Sequence, residues 1–371
     1  MKSLSVKNQE LAPLTRSEVI CWRASRTPLL LAAAALVLLP IRSFGLAQFN
    51  DFYGLPDGLA NDVVRIEING TTPNGTGTII SVVPDGNGGD YYNVLTADHV
   101  VYGATAINIG FRFDTAYPTG FGVSSMAQNV EYDGGSGLVY GADLAVFAVD
   151  VSAATLANLP ANGLSPSSLL LPVGMMAPNN APGNQIIQAG FGFQTTLGFV
   201  GGQWRYNYSA GFGTYNAGAN TIPANGPGAI AGQGQQGLVP NYVGDVNGRG
   251  GNYVFDAIRG TFAVQTDAGG NPTSGTTYIM SGDSGGPTFE SDGSGGLSLI
   301  GVHSDSYAAG EDTTESAGQG SLWSDVQVSS EEGWIQWATN AVDVPEPGSL
   351  SLIGMGLAAI AWRVFPKNKK S

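Results

Sequence analysis

A single serine lies between an aspartate and two glycines in the segment SGDSGGPTFE, residues 281–290. Glycine permits sharp turns and leaves no side chain between the backbone and an approaching molecule. Ser284 is therefore a candidate nucleophile, and the backbone N–H groups of Gly282 and Ser284 can face one developing oxyanion. The alternative is an ordinary surface turn in a chain that contains 55 glycines.

A serine nucleophile needs a base, and the chain has two histidines, His99 and His303. Its one cysteine, Cys21, lies in the leader. Two histidines and no further cysteine argue against a structural zinc site, and we expect neither a metal nor a cofactor. The oxygen-rich segment GDVNGRGGN, 244–252, is an open calcium candidate, although its spacing is not that of an EF-hand.

The body of the chain is acidic and rich in strand patterns. Between the basic leader and the basic tail it has five arginines and no lysine, which argues against binding to nucleic acid. Segments such as DVVRIEI and TGTIISVV predict strands, and NGTTPNG and PDGNGGD predict the turns between them. We therefore expect an all-β fold with one C-terminal helix within residues 325–342.

Both ends of the chain read as targeting segments. An apolar run at 28–41 behind a basic leader predicts a signal peptide cleaved by signal peptidase after Ala47, with an uncleaved anchor as the alternative. At the other end, Pro345-Glu346-Pro347 precedes an apolar stretch, Leu350 to Trp362, and a basic tail. A transmembrane helix is expected there, and a buried terminal helix is the alternative.

This C-terminal three-part pattern resembles the PEP-CTERM sorting signal of exported bacterial proteins. The resemblance implies transient membrane anchoring and processing by an exosortase-type enzyme. It also implies delivery to the surface or extracellular matrix of a Gram-negative bacterium. The expected organisation is a leader at 1–47, a folded domain at 48–344 and a sorting segment at 345–371.

Three segments resemble the trypsin-like, or chymotrypsin-fold, serine proteases: LTADHVV (95–101), GADLAVFAV (141–149) and GDSGGP (282–287). They follow one another in that family's His–Asp–Ser order. The resemblance implies two antiparallel six-stranded β-barrels with the active site in the cleft between them. The glycine- and asparagine-rich stretch at about 200–252 is then expected to be an insertion around the second barrel.

Carried over to this chain, the family's roles make Ser284 the nucleophile, His99 the base and Asp143 its orienting carboxylate. The N–H groups of Gly282 and Ser284 form the oxyanion hole, and Ser304 donates to Asp143. Asp114 and Asp133 are the reserve candidates for the carboxylate. Asp283 is expected to be held internally, because no activation-type N-terminus is evident.

The resemblance also assigns a specificity pocket to Tyr278, Ser281, His303 and Ser304. Tyr278 stands where trypsin-like enzymes have an aspartate, so cleavage after lysine or arginine is not expected. His303 resembles the histidine with which bacterial glutamyl endopeptidases receive an acidic side chain. Ile279 and Asp305 oppose that preference, and the alternative is that His303 only packs in an apolar pocket.

The expected function is a secreted or surface-sorted serine endopeptidase that acts on a protein or peptide substrate. The alternative is a catalytically inactive surface or matrix protein with the same fold.

Overall fold

The computed structural model describes residues 57–342, with gaps at 71–72, 113–121, 126–129, 133–140, 159–181, 193, 201, 211–214, 228–234, 246–251, 276, 292–296, 308–315 and 319–320. These residues all belong to one unit of the chain, Ser43–Ser371. The expected leader and sorting segments lie outside the described residues, as do Asp114, Asp133 and most of the calcium candidate at 244–252.

The first seven strands pair into one antiparallel sheet. They are β1 (Val63–Ile68), β2 (Pro73–Pro84), β3 (Asp90–Thr96), β4 (Ile107–Gly110), β5 (Gly122–Ser125), β6 (Val130–Tyr132) and β7 (Ala145–Val151). Their spatial order is β5-β4-β1-β2-β3-β7-β6. The expected turn after β1 is present, since Asn69 and Gly70 have φ values of 54° and 70°, the left-handed conformation that an Asn-Gly hairpin turn requires.

Three short helices flank this sheet. They are α1 (Asp57–Asp62), α2 (Asp98–Val101) and α3 (Ala153–Asn158). The second of them, α2, directly follows β3 and carries His99.

The remaining strands form a second large sheet and two small ones. They are β8 (Gln185–Gly190), β9 (Gln194–Val200), β10 (Gln203–Ala210), β11 (Asn216–Thr221), β12 (Gly226–Pro227), β13 (Gln235–Asp245), β14 (Asn252–Thr261), β15 (Val264–Thr266), β16 (Pro272–Gly275), β17 (Pro287–Ser291), β18 (Leu297–Tyr307), β19 (Ser316–Gly318) and β20 (Leu322–Gln327). Eight of them have the order β11-β8-β17-β18-β20-β14-β13-β12, and the small sheets are β19-β10-β9 and β15-β16.

The chain is mostly β-strand with a C-terminal helix, as expected, but within the described residues the two large sheets have seven and eight strands rather than six each. The expected insertion at about 200–252 contains strands β10 to β13, and β11 and β13 pair within the second sheet. The C-terminal helix, α4 (Glu332–Val342), lies within the predicted segment 325–342. The first residues of that segment, Asp325–Gln327, complete β20, and a 3₁₀ turn follows at Val328–Ser330.

Apolar packing joins the two large sheets. One buried cluster contains Val146 of β7, Phe289 of β17, Leu299 of β18 and Ile335 of α4. A second buried cluster packs mainly on the first sheet, and a third packs mainly on the second sheet. Both faces of strand β7 are covered, because Phe147 packs in the first-sheet cluster while Val146 packs against the second sheet and α4. This close packing fixes the chain that enters β7 directly after Asp143.

Gly260 is a glycine that the packing requires. It pairs with Trp323 across β14 and β20, and an added Cβ would lie 2.2 Å from the indole ring. We expect Gly260→Ala to lower the free energy of unfolding by about 1–3 kcal/mol through overpacking. The matched control is Gly333→Ala in α4, where nothing lies within 4 Å of the added Cβ and we expect a gain of about 0.5–1 kcal/mol. Urea unfolding measures both, and equal effects would contradict this account.

Asp62, at the end of α1, gives a pH-dependent prediction. It is fully buried, neither carboxyl oxygen has a hydrogen-bond partner among the described residues, and burial raises the pKa of Asp62 to about 9. The pKa is higher in the folded state, so this group costs stability increasingly as the pH rises from about 4 towards 9.

We therefore expect the unfolding free energy of Asp62→Asn to increase relative to that of the parent protein as the pH rises, by up to about 1.4 kcal/mol per pH unit. The measurement is the difference in unfolding free energy between the two proteins at pH 5 and at pH 8. Groups common to both proteins cancel in that difference. A difference that stays constant over this range would rule out the buried ionisation.

Candidate active site

Ser284 lies in a tight turn whose glycines are required by its conformation. Gly282 and Gly285 have φ values of 93° and 80°, in the left-handed region that other residues rarely adopt. A Cβ on Gly285 would also lie 2.2 Å from the carbonyl oxygen of Thr76. The glycines that the sequence places around Ser284 therefore serve a specific backbone shape and a close approach to β2.

Backbone hydrogen bonds hold this turn between the two large sheets. On the first-sheet side, Thr76 N–H donates to Ser284 O (2.8 Å) and Thr76 Oγ1 donates to Gly282 O (2.9 Å). On the other side, Gly285 N–H donates to His303 O (2.7 Å), and His303 N–H donates to Gly286 O (2.8 Å). Ser284 itself stays half-buried. Both sheets thus determine where its hydroxyl lies.

His99 and Asp143 form a close pair. His99 Nδ1 lies 2.6 Å from Asp143 Oδ2, and the His99 backbone N–H donates to Asp143 Oδ1 over 3.0 Å. Ser304 Oγ donates to Asp143 Oδ2 over 2.7 Å. The carboxylate is fully buried, whereas 17% of the His99 side chain is exposed. An acceptor at Nδ1 favours the tautomer with its proton there, which leaves Nε2 as the basic nitrogen.

Asp98, the residue before His99, contacts a different element. It is buried, and its Oδ2 accepts a hydrogen bond from the hydroxyl of Tyr253 on β14. The next residue, Val254, donates its N–H to Gly141 O (3.2 Å), close to Asp143 in the chain. Strand β14 of the second sheet therefore holds both segments that carry the histidine–aspartate pair.

The N–H groups expected to form an oxyanion hole belong to this turn. None of the hydrogen bonds within the described part of the chain uses the backbone N–H of Gly282 or of Ser284. In contrast, the N–H of Asp283, between them, donates to Met280 O (3.0 Å). Two donors on either side of an internally bonded residue can bind one oxygen atom.

Asp283 points away from Ser284 into the protein. Its carboxylate accepts the N–H groups of Gly192 (2.7 Å) and Met280 (2.9 Å). Burial raises the pKa of Asp283 to about 6, while these two hydrogen bonds and the nearby His303 oppose that rise. Asp283 was expected to be held internally. Within the described residues its partners are indeed backbone groups, and Gly192 provides space, since a Cβ there would lie 2.5 Å from Asp283 Oδ1.

The four residues assigned to a specificity pocket have different surroundings. Tyr278 and Ser304 are buried, and Ser281 is half-buried. His303 is fully buried, and its Nδ1 lies 2.8 Å from Asp325 Oδ1, while Thr288 Oγ1 donates to Asp325 Oδ2 over 2.5 Å. His303 Nε2 has no hydrogen-bond partner in the described part of the chain. No sequence signal marked Asp325 as the partner of His303.

The glycine alternation AGFGF, 189–193, is a sequence signal for a close approach of another group. Isolated glycines at a strand end mark a close approach of other groups. Here Gly190 and Gly192 make room for the Asp283 carboxylate. No cluster of three or more His, Cys, Asp or Glu side chains suited to a metal is present among the described residues.

Comparison with known proteins adds a sorting motif and a set of remote structural likenesses. Residues 343–364 match the model of the PEP-CTERM protein-sorting motif, which confirms the resemblance of the C-terminal segment. No curated protein sequence matches the chain significantly. Within residues 57–342 and outside their gaps, no helix is long and apolar enough to cross a membrane.

Solved structures of the chymotrypsin fold, which include proteases and one inactive relative, human heparin binding protein, are similar to the chain at low identity. One is Rv3671c of M. tuberculosis, with 17% identity, a TM-score of 0.39, and coverage of 77% of this chain and 91% of that one. The HtrA-type protease AlgW has 14% identity, a TM-score of 0.38, and coverage of 77% and 66%. Human heparin binding protein has 15% identity, a TM-score of 0.43, and coverage of 80% and 96%.

The hydrogen bond between Tyr253 and Asp98 predicts a role in positioning. We expect Tyr253→Phe to lower the unfolding free energy by about 1–3 kcal/mol, because it removes a hydrogen bond to a buried carboxyl group. The rate at which a serine-directed phosphonylating reagent labels Ser284 should fall with it, since Asp98 of α2 loses its hydrogen bond to β14. Tyr102→Phe, at a tyrosine that is 48% exposed, is the control. Equal labelling rates in both variants would exclude the positioning role.

Proposed function

We propose that this chain is a serine endopeptidase of the chymotrypsin fold, with Ser284, His99 and Asp143 as its catalytic triad. The observation that carries the proposal is the buried Asp143 carboxylate, which accepts hydrogen bonds from His99 N and Ser304 Oγ and lies 2.6 Å from His99 Nδ1. A histidine with one nitrogen held in this way and a partly exposed ring is suited to carry a proton between a serine and a leaving group.

The proposed reaction proceeds through an acyl-enzyme. Ser284 Oγ attacks the carbonyl carbon of the cut bond while His99 Nε2 takes the hydroxyl proton. The tetrahedral oxyanion is stabilised by the N–H groups of Gly282 and Ser284. When the C–N bond breaks, the amine leaves with the proton from His99. Water then attacks the ester, again with His99 as the base, and releases the acid and the free Ser284 hydroxyl.

Primary specificity is a separate proposal within this function. Tyr278, Ser281, His303 and Ser304 are proposed to border the primary pocket, with an acidic substrate side chain before the cut as one prediction. The full burial of His303 and its contact with Asp325 support the alternative, in which His303 only packs. In either case, Tyr278 stands where trypsin-like enzymes have an aspartate, so the pocket has no carboxylate at that position to select lysine or arginine.

Export completes the proposal. The PEP-CTERM motif implies processing by an exosortase and sorting to the cell surface. We propose a signal peptide removed after Ala47, a transient C-terminal membrane anchor and release to the exterior of a Gram-negative cell. The protein substrate is then met outside the cytoplasm.

Replacement of the triad tests the activity. We expect Ser284→Ala and His99→Ala each to lower peptide hydrolysis by roughly four to six orders of magnitude, because nucleophile and base act as a unit. The parent should be labelled by a phosphonylating reagent at Ser284. As a control, Ser152→Ala, at an exposed serine between β7 and α3, should leave hydrolysis unchanged. A folded parent that neither hydrolyses peptides nor is labelled would favour the inactive surface protein. Activity in His99→Ala but not in His303→Ala would mean that His303, and not His99, is the base.

A further inference from the structure

We infer that the carboxylate of Asp305 forms a subsite for a lysine or arginine side chain of the substrate, beside His99. The inference rests on the proposed peptidase function and concerns a position distinct from the primary pocket. Asp305 follows Ser304, whose hydroxyl bonds to Asp143, so it lies directly next to the proposed triad.

The local strand geometry sets the direction of Asp305. The pairing of β18 with β20 is irregular between His303 and Asp305, since His303 pairs with Asp325 and Asp305 with the adjacent Ser324. Such a bulge changes which way side chains point, and bulges are common next to active sites. It directs the hydroxyl of Ser304 to Asp143 and leaves Asp305 half-buried within electrostatic reach of His99.

The carboxylate of Asp305 has hydrogen bonds but no ion-pair partner among the described residues. Tyr242 on β13 donates its hydroxyl to Asp305 Oδ2 over 3.0 Å, and the Ser306 N–H also donates to the carboxylate. Arg259 is a guanidinium whose charge lowers the pKa of Asp305. That group instead donates to Ser324 Oγ (2.9 Å) and Gln235 O (2.8 Å) and stacks on the Tyr242 ring at 4.2 Å.

A half-buried carboxylate without a cationic partner is energetically costly. Burial raises the pKa of Asp305, and the hydrogen bonds from Tyr242 and Ser306 and the charges of Arg259 and His99 only oppose that rise. A cationic group that pairs with Asp305 on binding would remove this cost and add a charge-assisted hydrogen bond. Lysine and arginine side chains are the cations that a peptide substrate supplies.

Strand dimensions place this subsite close to the cut bond. Asp305 lies two residues beyond His303, whose backbone bonds to the turn of Ser284, and a strand rises about 3.3 Å per residue. An extended substrate has the same rise, so the lysine or arginine that contacts Asp305 lies within about two residues of the cut bond. The subsite is therefore compatible with an acidic or an apolar side chain in the primary pocket.

Peptide binding to the Ser284→Ala variant tests this subsite without depending on turnover. The probes are acetylated alanine hexapeptides that carry a single lysine or norleucine at each position in turn. We expect the lysine peptide to bind about tenfold more tightly than its norleucine match at one position, as for one hydrogen bond to a charged group. Asp305→Asn in the same background should bring the ratio of lysine-peptide to norleucine-peptide affinity to about one, while leaving the affinity for the norleucine peptide unchanged. Asp150→Asn, the same change in charge on β7, should leave the ratio intact.

The outcomes separate this inference from the proposed function. A lysine-to-norleucine ratio near one at every position, or a ratio unchanged in Asp305→Asn, would overturn the subsite even if the parent protein is an active peptidase. A selective loss of the ratio in Asp305→Asn would establish it even if phosphonate labelling shows the parent to be inactive. Thermal unfolding of each variant confirms that the comparison is made between folded proteins.

Discussion

The buried carboxylate of Asp143 is the point on which the arrangement of the site depends. Isolated in a protein interior, such a charge would be strongly unfavourable, and it is tolerated because its hydrogen-bonding groups come from several parts of the chain. The His99 backbone and ring belong to α2, at the end of β3, whereas Ser304 belongs to β18 of the second sheet. The same contacts that satisfy the charge therefore fix the histidine relative to both sheets.

The turn that carries Ser284 obeys a related constraint. Its backbone is bonded to Thr76 of β2 on one side and to His303 of β18 on the other, so its geometry depends on the packing of the two sheets. Side chains are excluded here by distance, as the close approach of Gly285 to Thr76 shows. The geometry of this turn thus requires the absence of side chains at these positions, and the buried cluster between the sheets supplies the rigidity that glycine itself cannot.

The distance along the chain between contacting residues explains which features could be predicted from the sequence. The glycines around Ser284 predicted its turn from local residue types. The His99–Asp143 contact joins residues 44 apart and was implied only by the resemblance of their motifs to the trypsin-like proteases. The partners Tyr253 for Asp98 and Gly192 for Asp283 are separated from them by 155 and 91 residues, and nothing in either segment names its partner. The number of strands could not be predicted either. The short strands β6 and β12 lie at the edges of the two large sheets, and their pairing is not encoded in their own residues. The described sheets therefore have seven and eight strands, and six per sheet was wrong.

The carboxylates around the site show how an acidic protein without lysine in its body holds buried negative charge. Asp143 uses a histidine and a serine, Asp283 uses backbone N–H groups, Asp325 uses His303 and Thr288, and Asp98 uses a tyrosine. These donors belong to short side chains or to the backbone, so each of these carboxylates is tied to one backbone geometry, whereas a flexible lysine would tolerate several. Asp305 differs from the other four, because it is half-buried, lies beside His99 and accepts only a tyrosine hydroxyl and its neighbour's N–H. Unlike those four, it is not fully enclosed by the fold, and this exposure is why we infer that a substrate cation can pair with it.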